Sequence, residues 1–140
     1  MSVVIDSNLL IVLVTGDPRG EKVSAQFTSW IEQNIPLHAP DLVPYEVANA
    51  LTRAIVAQAF NQQVLPDAWT LISSLPIHYH PCPQGTRIVE IALSLGRQSA
   101  YDAAFLALAE ALDAELWTLD GPLYRNAVNR GFKVHLLGEA

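Results

Sequence analysis

Two short apolar runs in this chain each end in an aspartate: Val3-Val4-Ile5-Asp6 near its start and Leu116-Trp117-Thr118-Leu119-Asp120 near its end. The first is β-branched and has no polar residue alternating within it, so it reads as a strand covered on both faces. A sheet buried on both faces is a parallel sheet carrying helices on each side. In such sheets chemistry gathers in the crevice beyond the carboxyl ends of the strands. Asp6 and Asp120 would then stand on the same edge.

The intervening sequence supplies the helices. Ser7-Asn8 can cap a helix through Leu9 to Val14. A Gly- and Pro-containing loop over 15–20 leads to a predicted helix at 21–34, with Val23, Phe27, Trp30 and Ile31 on one stripe. Leu37-His38-Ala39 is a short strand candidate. Pro44 suits the first turn of a helix over 45–60, whose core stripe is Val47, Leu51, Ala54 and Ile55. Glu46, Asn49 and Arg53 share a different face of that helix. A further helix at about 66–75 precedes the strand Ile77-His78-Tyr79-His80, and another over 84–96 closes at Gly96.

Tyr101 to Leu112 is apolar nearly all round, which marks a central helix packed on several sides; Asp102 lies in its first turn. A short helix over 122–130 ends at Gly131, and Phe132 to Leu136 is the last strand. Strands alternating with helices predict an α/β three-layer sandwich with a mainly parallel sheet, and 140 residues suit a single domain over 1–140.

Composition narrows the class. At 51% hydrophobic and 16% charged residues, the chain buries a large core and is not disordered. A single cysteine forms no internal disulfide, and no signal-like segment or membrane-length apolar run stands out, so the expectation is a cytoplasmic protein without a membrane role. Eight Lys and Arg face 14 Asp and Glu, a net charge of −6. That balance argues against gripping nucleic acid by bulk electrostatics. The objection weakens if several carboxylates share a cation, because the charge would then change where a phosphate binds.

Four acids sit where such sharing is feasible. Asp6 and Asp120 follow strands, while Glu46 and Asp102 begin helices entered from the same edge. Taken singly, each has a structural role open to it: a strand-end residue, a turn-former before Gly121-Pro122, a solvated helix position, a partner for the helix dipole. Taken together, four carboxylates in one crevice cannot all ionise without a counter-charge, and oxygen-rich clusters of this kind hold Mg2+ or Mn2+.

The motifs carrying these acids resemble those of PIN domains, small ribonucleases that include the toxins of VapBC toxin–antitoxin pairs. Val3-Val4-Ile5-Asp6-Ser7-Asn8 resembles the family's opening, and Pro44-Tyr45-Glu46-Val47-Ala48-Asn49-Ala50-Leu51 its second motif. Tyr101-Asp102 followed by the apolar helix is similar to the third; Leu116 to Asp120, with Leu123 and Ala127 before Gly131, is similar to the fourth. The resemblance runs from residue 3 to about 136, in the family's order. It implies the PIN sandwich and Mg2+- or Mn2+-dependent endonucleolytic cleavage of RNA, leaving 5′-phosphate and 3′-hydroxyl ends. It also implies a small antitoxin as partner, with an arginine reaching the acids, and a homodimer. Asp6, Glu46, Asp102 and Asp120 fall on the family's acidic positions, as metal ligands (Glu46 directly or through water) and catalytic groups. Asn8 and Thr118 match positions where small polar residues support the site.

Competing readings are weaker. A phosphotransferase with Asp6 as nucleophile wants a second aspartate two residues on and a supporting lysine; position 8 is Asn and the lysines are Lys22 and Lys133. A PIN fold without activity, serving as an RNA- or protein-binding module, is the alternative that retention of all four acids opposes. Arg53, Arg97 and Arg125 are phosphate contacts on charge alone. His78, His80 and Cys82 have ligand-like spacing for zinc, but Pro81 and Pro83 interrupt the strand and a fourth ligand is not evident. Trp30, Trp69 and Trp117 read as core.

Overall fold

The computed structural model describes residues 1–138 apart from 82 and 98. The described residues form five strands and seven α-helices: β1 (Val3–Ile5), α1 (Ser7–Val14), α2 (Gly20–Glu32), β2 (Leu37–Pro40), α3 (Val43–Val56), α4 (Leu65–Ser74), β3 (Ile77–His80), α5 (Gly85–Ser94), α6 (Tyr101–Leu112), β4 (Glu115–Thr118), α7 (Gly121–Asn129) and β5 (Val134–Leu136). A 3-10 turn at Gln62–Val64 precedes α4. No helix among the described residues is long and apolar enough to cross a membrane.

Every strand pairing is parallel, in the order β3-β2-β1-β4-β5. β1 is central because it is the most apolar: Val3, Val4 and Ile5 are completely buried. The chain steps outward from β1 to β2 to β3, then crosses back to β4 on the other side of β1. Right-handed crossovers place α1 to α4 on one face and α5 to α7 on the other. Contacts agree: α1 gathers α2, α3 and α4, whereas α6 packs on β1, β2 and β4 with α5 alongside it. The order reverses between β1 and β4. That is the topological switch point, where an open α/β sheet leaves a crevice.

The all-round apolar helix is α6, with the bounds its sequence predicts. Seven consecutive residues, Ala103 to Ala109, are buried in it. Small alanines let the helix lie close to the sheet, while Phe105 and Leu106 fill the space between.

Several local expectations are corrected. Ile31 does not join the core stripe of α2; it is 41% exposed, and Trp30 takes the inward position by packing edge-on against Phe27 and Trp117. The helix predicted over 45–60 begins at Val43 and ends at Val56, because Gln58 turns left-handed at φ 59° and Ala59 and Phe60 return their amides to Ala54. Trp69 and Trp117 are half-buried against the core, and only Trp30 is fully inside it.

Candidate functional site

The ladder between the two central strands runs one residue past β1: the Asp6 amide donates to the Trp117 carbonyl at 3.0 Å. This hydrogen bond brings the Asp6 side chain beside the end of β4. Thr118, completely buried, donates from Oγ1 to Asp6 Oδ2 at 2.8 Å and accepts from the Asp120 amide at 3.0 Å. Asn8 bridges the same groups. Its Nδ2 is 3.4 Å from Asp6 Oδ2 and 3.3 Å from Thr118 Oγ1, and its Oδ1 accepts from the Leu119 amide at 3.2 Å. The two supporting residues named from sequence thus tie the two strand ends together.

Asp6 itself corrects the predicted cap. The sequence places a cap at Ser7-Asn8, but Asp6 holds the cap position and makes no side-chain cap bond to α1. Its carboxylate is turned to Thr118 instead, and the side chains of Ser7 and Asn8 turn towards it. The helix forgoes a capping interaction of about 1 kcal/mol so that this carboxylate can face the crevice. Asp120 keeps one foot in each role: its Oδ1 caps α7 by accepting from the Leu123 amide at 3.0 Å, which fixes the carboxylate's orientation.

The other two acids come from helices. Glu46 lies in the first turn of α3 and Asp102 in the first turn of α6, both half-buried. The structure brings Asp6, Glu46 and Asp102 within electrostatic reach of one another, and Asp120 within reach of Asp102. Burial pushes the Asp6 carboxyl up to about 6; the Thr118 hydrogen bond opposes this, and the charges of Asp102 and Glu46 add to it. Glu46 is raised by burial and by Asp102, with Ser7 pulling the other way. Asp102 is raised by burial and by Asp120, against the lowering influence of Arg97. Asp6, Glu46 and Asp102 are thus each made harder to ionise by a neighbouring carboxylate.

One atom shows what the cluster is short of. Glu46 Oε1 is buried with no hydrogen-bond partner. A buried carboxylate oxygen without a donor is costly, and positive charge supplied from outside the chain would relieve it. Among the described residues, no three or more His, Cys, Asp or Glu are drawn tightly enough together to grip a metal ion as they stand. The carboxylates are in range of one another, not in a closed ligand shell. The donor set, all carboxylate oxygen with a hydroxyl and an amide behind it, fits a hard divalent cation such as Mg2+ or Mn2+ rather than a thiol- or imidazole-seeking one.

The remaining candidates separate. Arg97, which sequence could support only by its charge, follows Gly96 at the end of α5 and is close enough to Asp102 to lower its pKa. Arg125 folds back over Gly121, so that a β-carbon there would lie 3.1 Å from Nη1; this sets the guanidinium beside the Asp120 turn. Arg53 and Asn49 are exposed on α3, a turn or more beyond Glu46. Cys82 lies outside the described residues. His78 and His80 are on β3, joined there by His38 of β2, a neighbour that local spacing gave no sign of.

A family model for the PIN domain matches residues 3–129. Ribonuclease VapC3 of Pyrobaculum aerophilum is 28% identical over 130 residues, covering 88% of this chain and 92% of that protein. Among solved structures, PAE2754 from Pyrobaculum aerophilum is similar with a TM-score of 0.66 at 21% identity, over 90% of this chain and 79% of that one. The structure of VapBC2 from Rickettsia felis, bound to a DNA fragment from their promoter, is similar with a TM-score of 0.71 at 12% identity, over 98% of this chain and 99% of that one. At such identities the structural likeness concerns the fold alone.

Proposed function

The chain belongs to the PIN domain family, and on that premise we propose that it is a single-domain, Mg2+- or Mn2+-dependent endoribonuclease serving as the toxin of a VapBC-type toxin–antitoxin pair. The observation that carries the reading is the convergence of Asp6, Glu46, Asp102 and Asp120 at the switch point, with Glu46 Oε1 buried and unpartnered. The likeness to Ribonuclease VapC3 supports RNA as the substrate.

Asp6, Asp102 and Asp120 would hold the divalent ion, with Glu46 joining directly or through water. A bound ion would polarise the scissile phosphate and lower the pKa of a water molecule to make it the nucleophile. The chain's own groups do the rest. Glu46, where it meets the ion only through water, would take up the proton that the attacking water gives up. Thr118 and Asn8 fix the Asp6 carboxylate by hydrogen bonds, so its orientation does not have to be organised during the reaction. Arg97 and Arg125 flank Asp102 and Asp120 and give the RNA backbone two cationic contacts on an otherwise acidic protein.

In the resting pair, a small antitoxin would reach the same acids with an arginine, replacing the charge of the cation. A homodimer is the assembly proposed for the toxin itself. Purified protein incubated with RNA and Mg2+ or Mn2+ should yield fragments with 5′-phosphate and 3′-hydroxyl ends, and chelator should stop the reaction. Cleavage that persists in chelator, or RNA retained intact with metal present, would overturn the nuclease assignment; the latter would mark a binding module.

A further inference from the structure

Next to Glu46 the carboxyl edge of the sheet carries a cleft of about 560 Å3, lined by Asp41, Leu42, Pro44, Tyr45 and Tyr79. β2 and β3 run parallel with Pro40 opposite His80, so their ends reach the same edge as Asp6. The corner from Pro40 to Pro44 is held there. The Asp41 amide donates to the His80 carbonyl at 2.8 Å, and the amides of Tyr45 and Glu46 both donate to the Leu42 carbonyl at 3.1 Å. The two prolines remove further backbone freedom. The cleft is thus built before anything enters it.

Its two rings differ. Tyr79 is half-buried against the core and gives a fixed wall, whereas Tyr45 is 79% exposed. Tyr45 immediately precedes Glu46 in the first turn of α3, their Cα atoms about 3.8 Å apart. A phosphate at the crevice and a base lying on Tyr45 can therefore belong to neighbouring nucleotides. None of the five lining residues is cationic, and the whole chain carries −6. An RNA strand gains little here from counterion release, so its hold has to come from stacking, which every base offers whatever the protein's charge.

We propose that this cleft is a base subsite: Tyr45 stacks on a nucleobase beside the scissile phosphate, and Asp41 selects guanine. The subsite rests on the RNA-cleaving role proposed for the crevice. As a carboxylate, Asp41 only accepts hydrogen bonds, through two oxygens. The Watson–Crick edge of guanine presents two adjacent donors, N1–H and the N2 amino group, which match those oxygens as a bidentate pair. Uracil presents one N–H between two carbonyl oxygens, which a carboxylate repels. Unpaired bases stacked on aromatic side chains are read on this edge.

Tyrosine-ring and methyl NMR on the full chain with Mg2+ tests the subsite, with guanosine and uridine 5′-monophosphates (GMP and UMP) as probes. GMP should shift the Tyr45 and Tyr79 rings and leave unmoved the methyls of Val56, equally exposed at the far end of α3. UMP should bind about tenfold more weakly, the order of discrimination that one bidentate pair gives. Tyr45→Ala should weaken GMP binding about fivefold to a hundredfold, the range for loss of one stacking ring. Asp41→Asn should bring GMP and UMP to similar affinity. Rings unmoved by GMP, equal binding of GMP and UMP by the wild type, or undiminished GMP binding by Tyr45→Ala would overturn the proposal and leave the cleft as a protein-contact face. The NMR readout needs no cleavage. A chain that binds GMP on Tyr45 yet cuts no RNA faults the nuclease reading and not the cleft; RNA cleavage with unmoved rings faults the cleft alone.

Discussion

Thr118 Oγ1 donates a 2.8 Å hydrogen bond to Asp6 Oδ2 across 112 residues of sequence, while the same oxygen accepts the Asp120 amide at 3.0 Å. One buried hydroxyl therefore joins the Asp6 carboxylate to the backbone of Asp120, at the ends of the two central strands. Replacing it with the near-isosteric Val should leave the Asp120 amide without its partner and Asp6 Oδ2 with only the 3.4 Å contact from Asn8 Nδ2. Thr118→Val is expected to cost about 1–3 kcal/mol in urea unfolding. It should also raise the Asp6 pKa further, because the hydroxyl is the chief influence holding it down.

The pH dependence of stability follows from Asp6. Its folded pKa of about 6 lies above the ordinary 3.8. The folded state thus binds the extra proton between those values, and stability falls as pH rises from about 4 through about 6. Above that, the full penalty persists, about 3 kcal/mol for a shift of this size in a fully buried group. Glu46 and Asp102 are raised as well and act in the same direction. His38 and His80 act oppositely, being held below their usual value, and lose stability as pH falls through about 6.5. The difference between wild type and Asp6→Asn removes the histidines from the comparison. Without divalent ions, Asp6→Asn should be the more stable at pH 7.5, with its advantage shrinking towards pH 4; an advantage constant across that range would count against a strained Asp6.

Much of this was legible in the sequence. Val3 to Asp6 and Leu116 to Asp120 announce a parallel sheet because apolar strands covered on both faces show no alternation, and Tyr101 to Leu112 announces its own central position by being apolar all round. What sequence could not show is lateral. His38 reaches His78 through strand register, a relationship between segments 40 residues apart that no local period encodes. The burial of Glu46 Oε1 depends on how α3 meets the crevice. Ile31 fails for the same reason: its stripe is correct for an isolated helix, but Trp30 fills the space against Phe27 and Trp117 first.

Asn8 offers a test of positioning without loss of a ligand. Its side chain touches Asp6, Thr118 and the Leu119 amide. Asn8→Ala should lower kcat about tenfold to a hundredfold with little change in KM for RNA, as expected of a group that orients a metal-binding carboxylate. A rise in KM at unchanged kcat would instead make Asn8 a substrate contact.

Arg97 is the cation that Asp102 feels. Arg97→Gln should raise the Asp102 pKa in the metal-free protein, visible by carboxyl NMR titration, and should flatten the salt dependence of RNA binding by about one phosphate contact. An unchanged salt slope would remove Arg97 from the RNA path.

The central claim is that the four-acid crevice is a metal-dependent site for cutting RNA. Its most direct test is the cleavage rate of Asp6→Asn and Asp102→Asn at saturating Mn2+, beside wild type, with cooperative thermal unfolding confirming that each variant is folded. Wild type should cut, and both variants should fall by at least about a hundredfold, the scale on which removing one electrostatic contributor acts. Folded variants that both cleave at the wild-type rate would contradict it.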